Sequence, residues 1–185
     1  MRHTFFTLLL FVLIITSCAK DKNPNPFLIE KHHIGLLTDS TQVKDLKSIF
    51  INDSVVRYIA GDEFTGSVNS IEVFEKGGRK LLDLSPKEAL DSTSVISSVR
   101  IIDERYKTEK NISALSTFKD VKDAYKISKI DNLINSIVIS VNEINASFTI
   151  DKKELPGSLR FNMDATIDPI QIPEKATIKF FMLHW

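Results

Sequence analysis

The amino terminus is the feature that most constrains this chain. Arg2 precedes an almost unbroken apolar run over residues 5–15, and the polar pair Thr16-Ser17 follows before Cys18. A positive start, a short apolar stretch and small residues after it are typical of a secretory signal. The apolar run is shorter than the roughly 20 residues that a membrane-spanning helix requires. We therefore expect residues 1–17 to be a signal peptide.

The end of this segment, Ile15-Thr16-Ser17-Cys18, resembles a bacterial lipobox. In such signals the peptidase cuts between the positions held here by Ser17 and Cys18, and the cysteine then carries the acyl chains. The resemblance implies that Cys18 is the lipid attachment site of an outer-membrane lipoprotein, on either the periplasmic or the surface face. Three acyl chains anchor a protein firmly, whereas one binds only marginally. The alternative is that Cys18 is simply a small apolar residue of a cleaved or membrane segment.

Charge and cysteine content exclude several function classes. The chain has 24 basic and 24 acidic residues, and loss of Arg2 with the signal leaves one acidic charge in excess. A nucleic-acid binder needs a basic surplus for phosphate contacts, so we expect no nucleic-acid partner. Cys18 is the single cysteine, which leaves no disulfide and no thiol for catalysis or soft-metal binding. Stability must therefore come from packing.

The region after the cysteine divides into a tether and two similar halves. Residues 18–31 are polar and contain Pro24 and Pro26 without apolar periodicity, which indicates a lipid anchor followed by a flexible tether. We assign a first α-β-meander repeat to 32–107 and a second to 108–185. A single copy has a thin core, so we expect the two repeats to pack together.

Two ten-residue segments support the repeat. Residues 41–50 (TQVKDLKSIF) and 116–125 (STFKDVKDAY) carry lysine, aspartate and lysine at matching places. Their apolar residues recur at i, i+3, i+6 and i+7, which predicts one face of a short amphipathic helix in each. Thr117 and Asp120 have the spacing of a capping box. The alternative is chance similarity between two amphipathic helices.

Antiparallel strands are predicted after each helix. Gly77-Gly78 separates two apolar runs, as in a tight hairpin. The segment 155–173 is interrupted by Pro156-Gly157 and Pro169 and predicts no simple strand. The fold class is therefore α+β, with two repeats of a short helix followed by an antiparallel β-meander. The predicted strands are 54–60, 71–75, 80–84 and 95–103 in the first half, and 127–130, 136–141, 146–150 and 176–183 in the second.

Scattered positions along this order resemble the RpoE-regulated lipoproteins of Bacteroidota type, a family classed as a domain of unknown function. The resemblance covers most of residues 18–185. It implies an envelope lipoprotein and brings no catalytic residues with it. The positions that carry it are Ile34, Gly35, Thr38, Ser40, Thr41, Phe74, Gly77, Ile96, Val99, Asp103, Thr108, Ile112, Phe118, Val121, Tyr125, Ile178 and Trp185.

Three sets of side chains are candidates for metal binding or catalysis. His32-His33 offers two imidazoles, but neighbouring strand residues point to opposite faces and no third ligand is spaced to join them. Asp45 and Asp120 occupy equivalent helix positions, where solvated ion pairs are the simpler interpretation of an apparent acid–base pair. A hydrolase would need serine or aspartate residues to converge on His184. We therefore predict no catalytic residues, no metal site and no cofactor.

With no catalytic residues predicted, we expect the function to be binding. We expect a non-enzymatic envelope-maintenance or binding module, attached to the membrane through its lipid and recognising a protein or peptide, for instance at an exposed sheet edge. The alternative is a carrier of a small hydrophobic ligand or lipid in a cleft between the repeats. The segment 180–185 (FFMLHW), apolar on both faces, fits such a cleft or the centre of a sheet. Ligand-binding residues cannot be assigned from the pattern.

Overall fold

The fold is α+β, built mostly of antiparallel sheet with a few short helices. A computed structural model describes residues 25–60 and 68–185, so the predicted signal peptide with Ser17 and Cys18 lies outside the described residues. No helix in the described part of the chain is long and apolar enough to cross a membrane. The strands form a sheet of four and a sheet of eight.

The small sheet contains the first three strands of the described chain and one strand from residues 107–108. Its order is β3-β2-β1-β8, with β8 parallel to β1. The four strands are β1 (Leu28–Glu30), β2 (His33–Ile34), β3 (Leu37–Thr38) and β8 (Lys107–Thr108). Ile29 in β1 is buried, and Phe27 packs edge-on against Tyr106 with ring centroids 5.0 Å apart. The described fold thus includes the end of the predicted tether of 18–31, because Ile29 is buried in the core and Phe27 packs against it.

The large sheet has the order β4-β5-β6-β7-β12-β11-β10-β9, with every pair antiparallel. Most predicted strands are found within a few residues of their expected bounds. The strands of the first half are β4 (Ser54–Ala60), β5 (Val68–Phe74), β6 (Lys80–Pro86) and β7 (Ile96–Ile101). Those of the second half are β9 (Lys129–Asn132), β10 (Ser136–Val141), β11 (Ala146–Asp151) and β12 (Phe180–His184).

The predicted strand 176–183 is wrong in its first four residues, since β12 begins at Phe180. The preceding backbone bonds to the turn before a helix: Ala176 O accepts from Phe118 N at 2.9 Å, and Thr177 forms an isolated bridge with Thr117. β12 itself lies between β7 and β11, as expected for a segment that is apolar on both faces.

The helices are shorter than predicted. The first segment forms a 3-10 turn, Val43–Asp45, followed by helix α1 (Leu46–Ile49). The second forms helix α2 (Phe118–Ala124) behind the predicted capping box, in which Thr117 and Asp120 bond reciprocally. At the start of the first segment, Lys44 N donates to the carbonyl of Ser92 at 2.8 Å, so this turn is tied to a neighbouring loop as well as to its own carbonyls.

One continuous core lies on the inner face of the large sheet. Alternation in β10 and β11 buries Ile137, Ile139 and Phe148, while the intervening residues line the other face. Phe148 stacks on Phe181 across β11 and β12 with ring centroids 4.6 Å apart. Burial of such aromatic pairs stabilises a fold by about 1 kcal/mol beyond their area. The core therefore passes without a break through the centre of the sheet.

The connection from β11 to β12 is long and partly ordered by short turns. It contains the 3-10 turns Lys152–Glu154 and Pro169–Gln171 and helix α3 (Gly157–Arg160). Ile167 and Ile172 are buried and hold it to the body. Helix α3 and the second 3-10 turn lie in the region 155–173, for which the sequence predicts no simple strand.

Candidate functional site

The two neighbouring histidines, His32 and His33, each contact a different carboxylate. His32 Nδ1 lies 2.9 Å from Asp39 Oδ2, and His33 Nδ1 lies 2.7 Å from Glu30 Oε2. Within residues 25–60 and 68–185, no group of three or more His, Cys, Asp or Glu side chains could hold a metal ion. The arrangement joins turns of the small sheet to each other and brings no third ligand to either ring.

Asp45 and Asp120 serve different local purposes. Asp120 Oδ2 accepts from Thr117 N and from Thr117 Oγ1, both at 2.8 Å. Hydrogen bonds from the Thr117 backbone and side chain lower the pKa of this carboxyl, so it is ionised and holds the start of α2. Asp45 bonds through its backbone N–H to Gln42 O and precedes α1 without a side-chain cap.

His184 meets a serine that the sequence pattern did not single out. Ser147 Oγ and His184 Nε2 lie 2.8 Å apart on neighbouring strands, next to Trp185. Burial lowers the pKa of His184, so the ring is neutral at pH 7. A serine–histidine pair catalyses acyl transfer efficiently when a third group orients the histidine and hydrogen-bond donors form an oxyanion hole. Among the described residues, no carboxylate hydrogen-bonds to Nδ1 of His184.

A second unpredicted cluster joins the small sheet to the hairpin at Gly77-Gly78. Asp103, whose side chain is fully buried, accepts from Arg105 Nε at 2.9 Å and from Arg79 Nε at 2.6 Å. Arg105 also reaches Glu75 Oε1 at 2.8 Å and stacks over the ring of Phe27 at 4.6 Å. The spacing Asp-x-Arg at 103–105 is a weak sequence signal for this network, because the other partners come from distant segments.

Burial acts to raise the pKa of Asp103, but the side-chain and backbone hydrogen bonds of Arg105 outweigh it and the pKa is lowered. The same carboxylates raise the pKa of Arg105. The charged members of the cluster are paired with each other, so it is a satisfied structural network that holds the first described turn, at Phe27, against the sheet.

The feature best suited to binding is the free edge at β4. Among the described residues, β4 has one strand neighbour, β5. Val56 lies at this edge with 45% of its surface exposed. Within the part of the chain that the structure describes, the side chain of Arg57 makes one long hydrogen bond, 3.5 Å from Nη2 to Val43 O. An exposed strand edge carries unpaired backbone N–H and C=O groups that can template another strand.

The opposite edge of the sheet is tied to the long connection. The side-chain amide of Asn132 in β9 donates to the carbonyls of Asn162, Met163 and Ala165 at 3.0, 3.2 and 2.9 Å. These bonds hold residues 162–165 beside β9. The two edges therefore differ, and the edge at β4 is the more accessible one in the described part of the chain.

The fold and these surfaces define an α+β protein with one antiparallel eight-stranded sheet, backed on its inner face by short helices and a small sheet. No protein-family model matches the chain, and no curated protein matches it either. Among solved structures, the chain is similar to the crystal structure of the uncharacterized protein YfeY from Escherichia coli, with a TM-score of 0.57 and 12% sequence identity. The match covers 85% of this chain and 99% of that chain. At this identity the likeness establishes the fold alone.

Proposed function

We propose that this protein is a lipid-anchored envelope protein of the RpoE-regulated lipoprotein type, without enzymatic activity, that binds extended polypeptide at the edge of β4. The single observation that carries the binding role is the edge strand itself, paired on one side only among the described residues. In β-augmentation the main-chain hydrogen bonds supply affinity, and alternate side chains supply specificity. The lipobox at 15–18 supports the anchor, and the positions that resemble the RpoE-regulated lipoproteins support the family.

Duplication of an α-β-meander unit accounts for the sheet order. Two copies related by an approximate two-fold axis between β7 and β12 would give β4-β5-β6-β7 beside β12-β11-β10-β9. The turn before each helix also bonds in a corresponding way. Ile96 N donates to Thr41 O at 3.1 Å, and Ile178 N donates to Ser116 O at 3.3 Å. These matching bonds support the proposed repeats at 32–107 and 108–185.

The alternative of a hydrophobic-ligand carrier depends on a cleft between the halves. Val99, Ile101, Phe181 and Leu183 fill the junction of β7 and β12 and are at most 2% exposed. That packing favours peptide binding at the edge over a ligand held between the repeats.

The anchor is tested by metabolic labelling with an alkyne fatty acid. The wild type should carry the label and the intact mass of an acylated chain beginning at Cys18, while Cys18→Ser should carry neither at equal abundance. Localisation to the outer membrane is then tested by membrane fractionation, and the exposed face by protease shaving. Label on Cys18→Ser, or a wild-type mass without acyl chains, would disprove the anchor.

The edge is tested with a library of extended peptides of alternating hydrophobicity. Val56→Lys places a charge at the edge and should abolish binding of the selected peptides. Val138→Lys is the matched control, since Val138 lies on the same face of the sheet in the interior strand β10. N-methylation of the peptide backbone should also abolish binding, because main-chain hydrogen bonds carry the affinity. Peptides whose binding is unaffected by Val56→Lys and by backbone N-methylation would contradict recognition at the β4 edge.

A further inference from the structure

A cleft with cationic walls and an apolar rim lies beside the long connection between β11 and β12. It is formed by the β9–β10 turn, the 3-10 turn after β11, the end of α3 and the residue before β12. It lies at the end of β11 remote from the Trp185–Lys31 contact, where Trp185 Nε1 donates to Lys31 O at 3.1 Å. Its lining residues are Ile134, Asn135, Asp151, Lys152, Lys153, Arg160, Phe161, Met163 and Lys179.

The rim exposes three large apolar side chains, a type of residue that is usually buried in a soluble protein. Phe161 is 88% exposed, Ile134 is 74% exposed and Met163 is 44% exposed. They come from two separate segments, the β9–β10 turn and the residues after α3, so their grouping is a product of the fold. Contiguous exposed apolar side chains mark protein or membrane contact sites.

Four cations line the same cleft against one carboxylate. Lys179 Nζ lies 3.2 Å from Asp151 Oδ2, and Arg160 Nε donates to the carbonyl of Leu155 at 2.7 Å. Lys152 is buried to 4% exposure, with Nζ 3.4 Å from Met163 Sδ. Lys153 is exposed and has no ion pair among the described residues. In a chain with equal numbers of acidic and basic residues, this is a local cationic excess.

The cleft is held in place by its own hydrogen bonds. Asn132 clamps the carbonyls of Asn162 and Met163, as described for the β9 edge. Asp151 Oδ1 accepts from Lys153 N at 3.0 Å and so shapes the 3-10 turn. The apolar rim and the cations are therefore presented together on anchored segments, which reduces the ordering needed on binding.

We propose that this cleft docks on an anionic phospholipid surface and orients the body of the protein against the membrane. The inference rests on the proposed lipid anchor, which brings the protein to a bilayer. Apolar side chains next to basic ones match the acyl and headgroup layers of an anionic membrane. The adjacent carboxylates Glu154 and Asp164 lie outside the lining, so the surface facing the lipid remains cationic.

The acylated full chain allows a direct test, because Cys18 is the single cysteine and an introduced thiol is the one available for labelling. Ser158→Cys in α3 is labelled with an environment-sensitive fluorophore. Ser92→Cys is the matched control, in the corresponding connection between β6 and β7; both serines are exposed. The proteins are reconstituted in vesicles of phosphatidylcholine alone or with phosphatidylglycerol, with a bilayer-located quencher.

Quenching is expected at position 158 in the anionic vesicles and not at position 92. The charge reversals Lys153→Glu with Arg160→Glu should reduce it at least about fivefold, as should Phe161→Ser. Lys44→Glu with Lys47→Glu, which reverses two exposed cations on the other half, should leave it unchanged. Equal quenching at both positions, equal quenching in neutral vesicles, or indifference to the charge reversal in the cleft would overturn the proposal.

The intact mass of the protein separates this proposal from the anchor. If the mass shows no acyl chains, the proposed function fails, and docking is then measured by sedimentation of the same protein with the two kinds of vesicle. Preference for anionic vesicles that is lost in Lys153→Glu with Arg160→Glu would still support the cleft. Absence of sedimentation would overturn it.

Discussion

Single residues with left-handed backbone conformation lie in the turns before the two helical segments. Gly35 has a φ of 58° and Asn111 a φ of 61°, and each lies a few residues before one of the two helical segments. Glycine and asparagine tolerate this conformation better than other residues. At Gly35 a second constraint applies, because a Cβ would lie 2.1 Å from the carbonyl oxygen of Pro26.

Gly35→Ala should therefore destabilise the protein by roughly 2–4 kcal/mol, through both the positive φ and the contact with Pro26. Gly157→Ala is the control, since among the described residues no atom beyond its chain neighbours and its own helix backbone lies within 4 Å of its Cβ position, and its φ is outside the left-handed region. Urea unfolding followed by circular dichroism measures both variants. A loss below about 0.5 kcal/mol for Gly35→Ala would contradict the close approach.

The buried carboxylate of Asp103 makes stability depend on pH. Its folded pKa is lowered, so its contribution is present above the unfolded carboxyl pKa of about 4 and is lost as pH falls through the lower folded pKa. Asp103→Asn should lower the free energy of unfolding by roughly 3 kcal/mol near pH 7. The difference between wild type and variant should shrink steadily below about pH 4.

Unfolding by urea across pH 2 to 7 provides that comparison. Asp168→Asn is a useful control, because Asp168 is exposed and caps a short 3-10 turn by accepting from Ile170 N. A difference for Asp103→Asn that stays constant with pH would mean that the pKa of this carboxyl is the same in the folded and the unfolded protein.

At the scale of elements, the two helical segments offer a comparison within one chain. Thr117 caps α2 through a reciprocal capping box, whereas Gln42 stands before the first turn without a side-chain cap. Thr117→Ala should cost about 1 kcal/mol of stability. Gln42→Ala should change stability by less than about 0.5 kcal/mol. Thermal unfolding of the two variants measures the contrast, and equal losses would mean that the box contributes nothing to α2.

Element types were predictable where the periodicity was strong. Alternation over 136–141 and 146–150 reproduces β10 and β11, and Gly77-Gly78 occupies a hairpin turn with φ values of 111° and 90°. The boundaries that failed are those set by distant partners. β12 starts at Phe180 because the backbone at 176–178 bonds to the turn before α2, and no local pattern encodes that partner.

The candidate sites show the same difference between features set by nearby residues and features set by distant partners. Strand geometry predicts that His32 and His33 point to opposite faces, and in the structure each ring contacts a different carboxylate, which the sequence pattern did not predict. The Ser147–His184 contact and the Asp103 cluster were missed. Ser147 and His184 are 37 residues apart in the sequence. In the Asp103 cluster, the hydrogen bond between Arg105 and Glu75 joins residues 30 positions apart. Only strand register and chain reversal bring such residues together.

On the scale of the whole molecule, the two halves share one sheet and one core, so they should unfold together. Phe181 is fully buried in β12, where it stacks on Phe148 and pairs with Ile101 of the other half. Phe181→Ala should destabilise the protein by about 3–5 kcal/mol. Amide hydrogen exchange should accelerate equally in β6–β7 and in β10–β11, as one cooperative unit.

Phe180→Ala is the paired control, since Phe180 is half-buried on the outer face of the same strand beneath the guanidinium of Arg100, 5.2 Å from the ring centroid. Its loss should be smaller, about 1–2 kcal/mol. Exchange that accelerates in β10–β11 alone would mean that the halves open independently.

The sequence by itself determined the α+β class, most strands of the large sheet, the hairpin turn and the helix cap, because each depends on residues close together along the chain. It did not predict the four short strands of the small sheet or helix α3. It also predicts the lipid anchor, which lies outside the described residues. The tertiary structure alone decided that β7 and β12 join the halves, that Asp103 is buried among arginines, and that cations and apolar side chains meet in one cleft. Those features depend on contacts between distant segments, which form only when burial of the shared core outweighs the entropy lost in bringing the segments together.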